Sequence, residues 1–251
     1  MLRANQVFVG PKERVDDLLI GQLKVIQHEE EFCFSLDAVL LSHFVTVRQG
    51  SKAIDLGTGT GVIAFLLTAR GAGHVTGLEI SQFMADMASR SVMLNELEEK
   101  VDILQGDLCN IKNIFPSDSF DLVVSNPPYR PVSGGYISPN DKVARAKHEV
   151  TATLHDVVDA ARYLLKYRRG RFAMVHLPER MSEILTAMSQ AGIEPKRLQL
   201  VYSSLDKKPT MLLVEGVRGA KPGLEVLPPL VVYKSDGSYS DEIMKYYKKY
   251  R

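Results

Sequence analysis

Between residues 52 and 219, short runs rich in Val, Ile and Leu alternate with longer amphipathic stretches, and this alternation constrains the fold more than any other feature. Short apolar strands need helices to cover both faces, and strands joined through helices run parallel. The pattern predicts an α/β protein with a mainly parallel sheet. Strands are expected near Ala53–Leu56, His74–Glu79, Val101–Leu104, Phe120–Ser125, Arg171–Leu177, Arg197–Tyr202 and Met211–Gly216. Only Ser203–Thr210 separates the last two, too short for a helical crossover, so that pair is expected to be antiparallel.

Helices are expected at Leu36–Val47, from the N-cap Ser81 to about Asn95, and at Thr153–Lys166, where apolar residues recur at helical spacing. The chain divides into an N-terminal extension with a cap helix (1–50), a core (51–219) and a C-terminal tail packed on it (220–251), with a strand at Leu230–Tyr233 and a helix from Asp241. Arg130–Lys147 has two prolines, two adjacent glycines and no period. It reads as a long loop leaving a strand end, where functional loops sit in such sheets.

Thirty-one Lys and Arg against 30 Asp and Glu leave a net charge of +1, so no global field draws polyanions and any nucleic-acid contact must use local patches. Cys33 and Cys109 fit neither a disulfide framework nor a metal-ligand spacing, and they read as reduced thiols of a cytoplasmic protein without a metal. No apolar run approaches the roughly 18 residues of a membrane span, so no membrane partner is expected. Oligomeric state is left open.

The segment Ala53-Ile54-Asp55-Leu56-Gly57-Thr58-Gly59-Thr60-Gly61 ends one predicted strand and opens a helix, and its glycines let a ligand approach the backbone. The dinucleotide fingerprint spaces its last glycine one residue further on, which argues against NAD. Eighteen residues beyond Gly61, Glu79 closes the second strand, where a carboxylate can accept from both hydroxyls of a ribose. Asp107, followed by Leu108, closes the third strand region, placing an acceptor for an adenine amine beside an apolar flank. One acidic strand end is an ordinary turn; three in succession form a pattern.

The fourth strand runs into Asn126-Pro127-Pro128-Tyr129. Two prolines fix two φ angles and remove two donors, leaving the Asn126 amide and Pro127 carbonyl as rigid acceptors and Tyr129 as a flat face. A planar NH2 group would be gripped by both hydrogens. Methylation at a pyrimidine carbon would instead need a thiolate there, and neither cysteine lies in this segment.

These motifs, in this order, resemble the class I S-adenosylmethionine-dependent methyltransferases that methylate amines through an N-P-P-Y motif. With Ser35-Leu36-Asp37-Ala38-Val39-Leu40-Leu41, Ala144-Arg145-Ala146-Lys147-His148-Glu149 and the overall length, the chain looks closest to the bacterial valine-tRNA adenine-N6 methyltransferases, over about residues 25 to 220. The resemblance implies a Rossmann-like sheet of seven strands with the last antiparallel, and S-adenosyl-L-methionine as cofactor. Its contacts would be Asp55, Gly57, Thr58, Gly59 and Gly61 in the turn, Glu79 at the ribose, Asp107 and Leu108 at the adenine, Asp37 and Leu40 closing the site, and Ile80 and Asn126. The catalytic set would be Asn126, Pro127, Pro128 and Tyr129. The expected partner is tRNA, or another RNA, bound through Tyr129, Arg130, Arg145, Lys147 and His148. Arg130 departs from that family, which often has an aromatic residue there.

An extruded adenine would stack on Tyr129. Two further basic segments have open readings. The run Arg162, Lys166, Arg168, Arg169, Arg171 is a phosphate contact or, preferably, a solvated helix end. The tail Lys245-Tyr246-Tyr247-Lys248-Lys249-Tyr250-Arg251 mixes cations with rings as single-strand binders do, or forms a helix docked on the sheet. Beside RNA adenine-N6 methylation stand three alternatives: a protein-glutamine methyltransferase, whose likeness usually brings a larger N-terminal domain; an rRNA amino-methyltransferase; and a non-catalytic cofactor- or RNA-binding module.

Overall fold

The computed structural model describes residues 7–31, 33–127 and 152–248. Its core strands are β3 (Lys52–Leu56), β4 (His74–Glu79), β5 (Val101–Gln105), β6 (Leu122–Ser125), β7 (Arg171–His176), β8 (Ile193–Tyr202) and β9 (Pro209–Arg218). They lie in the order β8-β9-β7-β6-β3-β4-β5, with every neighbouring pair parallel except β9, which is antiparallel to both β7 and β8. The expected sheet and its antiparallel last strand are present. Two short strands, β10 (Glu225–Val226) and β11 (Leu230–Val231), extend it beyond seven by pairing with the outer edge of β8.

Alternation along the strands builds two cores. Ala53, Val75, Val124, Ala173 and Val175 face α1 (Leu36–Phe44) and α2 (Val62–Ala69). Their neighbours Ile54, Leu78, Val123, Phe172 and Met174 face α5 (Leu154–Leu164) and α6 (Met181–Gln190). Residues one apart point to opposite faces of a strand, and helices on both sides make each face apolar. Between these lie α3 (Gln82–Leu94) and the short α4 (Ile111–Ile114); α7 (Asp241–Lys248) closes the described chain.

The caps follow the sequence. The Ser81 hydroxyl accepts from the Met84 amide, and Thr153 makes a capping box with Asp156. Several boundaries differ, three of them for a clear local reason. The first helix stops at Phe44 because Val45 is extended, and regular pairing in the fourth strand starts at Leu122, with Phe120 in an isolated bridge to Leu165. β8 starts four residues earlier than expected, because a bulge at Pro195 lets a proline-containing, polar stretch join the ladder.

The N-terminal hairpin, β1 (Glu13–Asp17) and β2 (Lys24–His28), was not legible. β1 has almost no apolar alternation, and the ribbon meets α3 through polar contacts as well as through Ile26 of β2 packed on Met84 and Met87. The Arg90 guanidinium forks onto the Glu13 carboxylate at 2.6 and 2.7 Å, the Ile26 amide donates to Ser91 Oγ at 2.9 Å, and the Lys24 amide donates to Asn95 Oδ1 at 2.8 Å. Among the described residues, no helix is long and apolar enough to cross a membrane.

Candidate functional site

From β3 the chain steps outward through β4 to β5, then returns to β6 on the other side of β3 and continues to β7. Connections leaving β3 and β6 therefore diverge, and a crevice opens at their carboxyl ends. Leu56 is in register with Ser125, whose hydroxyl donates to the Leu56 carbonyl at 2.8 Å. The next residues, Gly57 and Asn126, consequently leave adjacent strand ends.

The turn after β3 is left-handed at Gly57 (φ 75°), Gly59 (56°) and Gly61 (89°). The glycines serve different ends. Among the described residues a Cβ on Gly57 would meet nothing within 4 Å, so the backbone there is open on that side. One on Gly61 would sit 2.7 Å from Phe65 Cζ, so this glycine lets α2 pack. The amides of Gly57 and Thr58 both donate to the Leu78 carbonyl, at 2.9 and 3.1 Å, tying the turn to the end of β4.

Glu79, nearly buried, braces this turn with both oxygens: Oε2 accepts from the Gly59 amide and Oε1 from the Ser81 amide, each at 2.9 Å. A carboxylate has about four lone-pair sites, so two remain for a ligand. Asp55, fully buried, accepts from Thr58 Oγ1 at 2.6 Å through Oδ2, while Oδ1 has no partner among the described residues. Burial pushes its pKa up to about 7, against the pull of the Thr58 hydroxyl and with a push from the charge of Glu79.

Asp107 lies two residues beyond β5, where its Oδ1 caps a 3-10 turn by accepting from the Cys109 amide at 2.9 Å. Leu108 beside it is half-buried, and Ile80 is 40% exposed next to Glu79, so both offer apolar surface at this corner. Asp37 is buried at the start of α1 and accepts from the Ser35 hydroxyl and the Ala38 amide. Leu40 lies fully inside the core beneath it. Thus Asp55, Gly57, Thr58, Gly59, Gly61, Glu79 and Ile80 come together around β3 and β4, with Asn126 and Pro127, both half-buried, beginning the neighbouring loop. Pro128, Tyr129, Arg130, Arg145, Lys147 and His148 lie outside the described residues, as does the loop expected at Arg130–Lys147. Cys109 is an exposed turn residue and Cys33 is half-buried.

One residue of this edge escaped the sequence reading. His176 ends β7 and is 1% exposed, two positions past Met174, the register partner of Ser125. Its Nδ1 accepts from the Leu177 amide at 2.7 Å, and Nε2 lies 3.2 Å from an Arg180 nitrogen. Burial, then the Arg180 charge, push its pKa down to about 4. The signal was available: a polar residue closing an apolar strand had already singled out Glu79.

Residues 53–133 match the methyltransferase-domain family. The chain is 28% identical over 198 residues to the tRNA1(Val) (adenine(37)-N6)-methyltransferase of Porphyromonas gingivalis, covering 76% of each protein. It superposes on the crystal structure of a predicted O-methyltransferase from Agrobacterium tumefaciens with TM-score 0.68 and 20% identity, covering 85% of this chain and 96% of that one. The geranyl diphosphate C-methyltransferase of Streptomyces coelicolor, whose structure contains S-adenosyl-L-homocysteine, aligns with TM-score 0.53 and 15% identity over 72% of this chain and 77% of its own. Oxygen, carbon and nitrogen acceptors thus occur on one scaffold, and the fold by itself chooses none of them. Domain match, relatives, strand order and glycine turn converge on one conclusion: this chain is a methyltransferase of class I fold.

Proposed function

We propose that the protein transfers the methyl group of S-adenosyl-L-methionine to the exocyclic N6 of an adenosine in tRNA. The observation that carries this reading is the register of β3 with β6, which sets the first residue of the asparagine-proline motif beside the first glycine of the ligand turn. The Porphyromonas gingivalis relative is named for adenine N6 in tRNA1(Val), which supports the choice of acceptor.

The residues present fit the cofactor. The open side of Gly57, spare lone pairs on Glu79 and the Oδ1 of Asp55, without a partner among the described residues, are what a ligand with ribose hydroxyls and positive charge would use. In this reading Glu79 holds the ribose, Ile80, Asp107 and Leu108 hold the adenine, and Asp55 with Thr58 fixes the turn and faces the cationic end. When bound, the cofactor supplies a methyl group already activated on a positive sulfur.

The chain's own task is alignment. The side-chain oxygen of Asn126 and the carbonyl of Pro127 accept the two N–H bonds of the adenine amine, which draws its lone pair out of conjugation and aims it. Pro128 fixes the backbone and Tyr129 stacks on the extruded base. The methylated amine is acidic, so Asn126 and the Pro127 carbonyl pass its proton toward water without a strong base. Arg130, Arg145, Lys147 and His148 bind phosphate.

The test is methyl transfer to bulk tRNA, with mass spectrometry of its nucleosides. N6-methyladenosine formed by the wild-type protein supports the reading, and transfer to a glutamine side chain with none to RNA overturns it.

A further inference from the structure

The C-terminal tail returns to the same edge of the sheet as the site. β11 pairs in parallel with the end of β8, so the amides of Val232 and Tyr233 donate to the carbonyls of Tyr202 and Ser203 at 2.8 and 3.1 Å. Tyr233 therefore emerges at the carboxyl end of β8, beside the turn that joins β8 to β9. Asn126 leaves β6 at that edge too, four inter-strand steps or about 19 Å across the sheet.

Three rings gather there. Tyr233 stacks on Tyr239 with centroids 5.5 Å apart and planes 13° from parallel, and Tyr239 stacks on Tyr247 at 6.1 Å and 21°. Tyr233 and Tyr239 remain 41% and 36% exposed, so the ladder is open to solvent. Lys207 and Lys208 stand exposed on the adjoining β8–β9 turn with Leu205, and neither makes an ion pair with a carboxylate among the described residues. Lys245 is exposed on α7, and Lys234, next to Tyr233, pairs with Asp241 at 2.7 Å. Stacked planar rings beside exposed ammonium groups, Lys207 next to the Asp206 carboxylate and Lys208 beyond it, match both parts of a nucleotide, a flat base and an anionic phosphate.

We propose that the Tyr233–Tyr239–Tyr247 ladder, with Lys207 and Lys208, docks an unpaired stretch of the RNA substrate. This rests on the reading of RNA as substrate. The surface lies on the β8–β9 side of Asn126, and the ligand turn and its acidic strand ends lie on the β3–β4 side. RNA bound across both would thus leave the cofactor half uncovered.

The experiment measures steady-state methyl transfer to tRNA and, separately, binding of the same tRNA by fluorescence anisotropy at several salt concentrations. Tyr233→Ala and the pair Lys207→Glu with Lys208→Glu should each raise KM and the RNA dissociation constant about tenfold, with kcat within about twofold of wild type. Tyr233→Phe keeps the ring and should behave as wild type. The lysine pair should also flatten the salt dependence of binding, a change that loss of a merely structural contact would not produce. If the wild type transfers methyl to tRNA while both variants keep its KM and affinity, the docking surface is overturned and the methylation reading stands. If the wild type transfers none, both fall. Should Tyr233→Ala lower the melting temperature, the lysine pair, on an exposed turn, decides alone.

Discussion

The two edges of the central sheet treat their carboxylates in opposite ways. At the edge away from the ligand turn, three acids have a Lys or Arg partner: Asp121 accepts from Lys166 at 2.9 Å, Glu215 from Arg171 at 2.7 Å, and Asp118 from Arg218 at 2.6 Å. At the ligand edge, Asp55, Glu79 and Asp107 meet amide, hydroxyl and thiol donors among the described residues, with no Lys or Arg in ion-pair range. The titration follows. Burial raises both Asp121 and Asp55, but the Lys166 ammonium and Lys52 amide overrule it at Asp121, which is held below the usual carboxylate range, whereas Asp55 rises to about 7. A paired acid is spent on the fold. An acid without a resident cation is available to a ligand that brings one.

The largest expected effect tests the chemistry at the ligand edge. Asn126→Ala should lower methyl transfer about 10²-fold or more while leaving S-adenosylmethionine affinity within a few-fold, since it removes the aiming contact but only one of the cofactor's many contacts. Equal rates in a labelled-methyl assay would remove Asn126 from the grip.

Glu215→Ala probes the other edge. Glu215 is fully buried and also accepts from the Thr46 amide at 2.6 Å, with Arg197 at 3.6 Å. Its loss should cost about 3 kcal/mol of stability in denaturant titration, the low end for a broken buried pair because both arginines are partly wetted, with cofactor affinity unchanged. A cofactor defect without destabilisation would erase the contrast between the edges.

Glu79→Ala should weaken cofactor binding about thirtyfold by calorimetry, the worth of a hydrogen bond or two to a charged acceptor. An unchanged affinity would take Glu79 off the ribose.

The smallest effect is a pH dependence. The Asp55 pKa in the folded protein lies above its unfolded value, so the native state holds the extra proton between about pH 4 and 7 and its stability falls as pH rises through that window. A cationic ligand favours the ionised form. Cofactor affinity should therefore rise about tenfold from pH 6 to 8 with proton release, and Asp55→Asn should abolish the release and stabilise the free protein above pH 7. Equal proton release from the variant would place the titrating group elsewhere.

Much of this was legible in the chain. Core strands need β-branched runs and their helices need an apolar stripe, so His74–Glu79 was located to the residue and Ser81 and Thr153 were identified as caps. The glycine turn, Glu79 and the asparagine-proline motif were legible for the same reason, because each lies within a few residues of its own strand end. The N-terminal hairpin was not, since Arg90, Ser91 and Asn95 hold it from α3, some 65 or more residues away in sequence.

Sequence by itself thus determined the elements and the identity of the groups at their ends, because propensity, capping and periodicity act over a few residues. Only the tertiary structure decided which of those groups meet. Strand order set Asn126 beside Gly57, supplied cations to Asp121 and Glu215 while leaving none for Asp55, and carried the tyrosines of the tail to the ligand edge. Charge, burial and proximity are properties of the assembled sheet, and no short stretch of chain contains them.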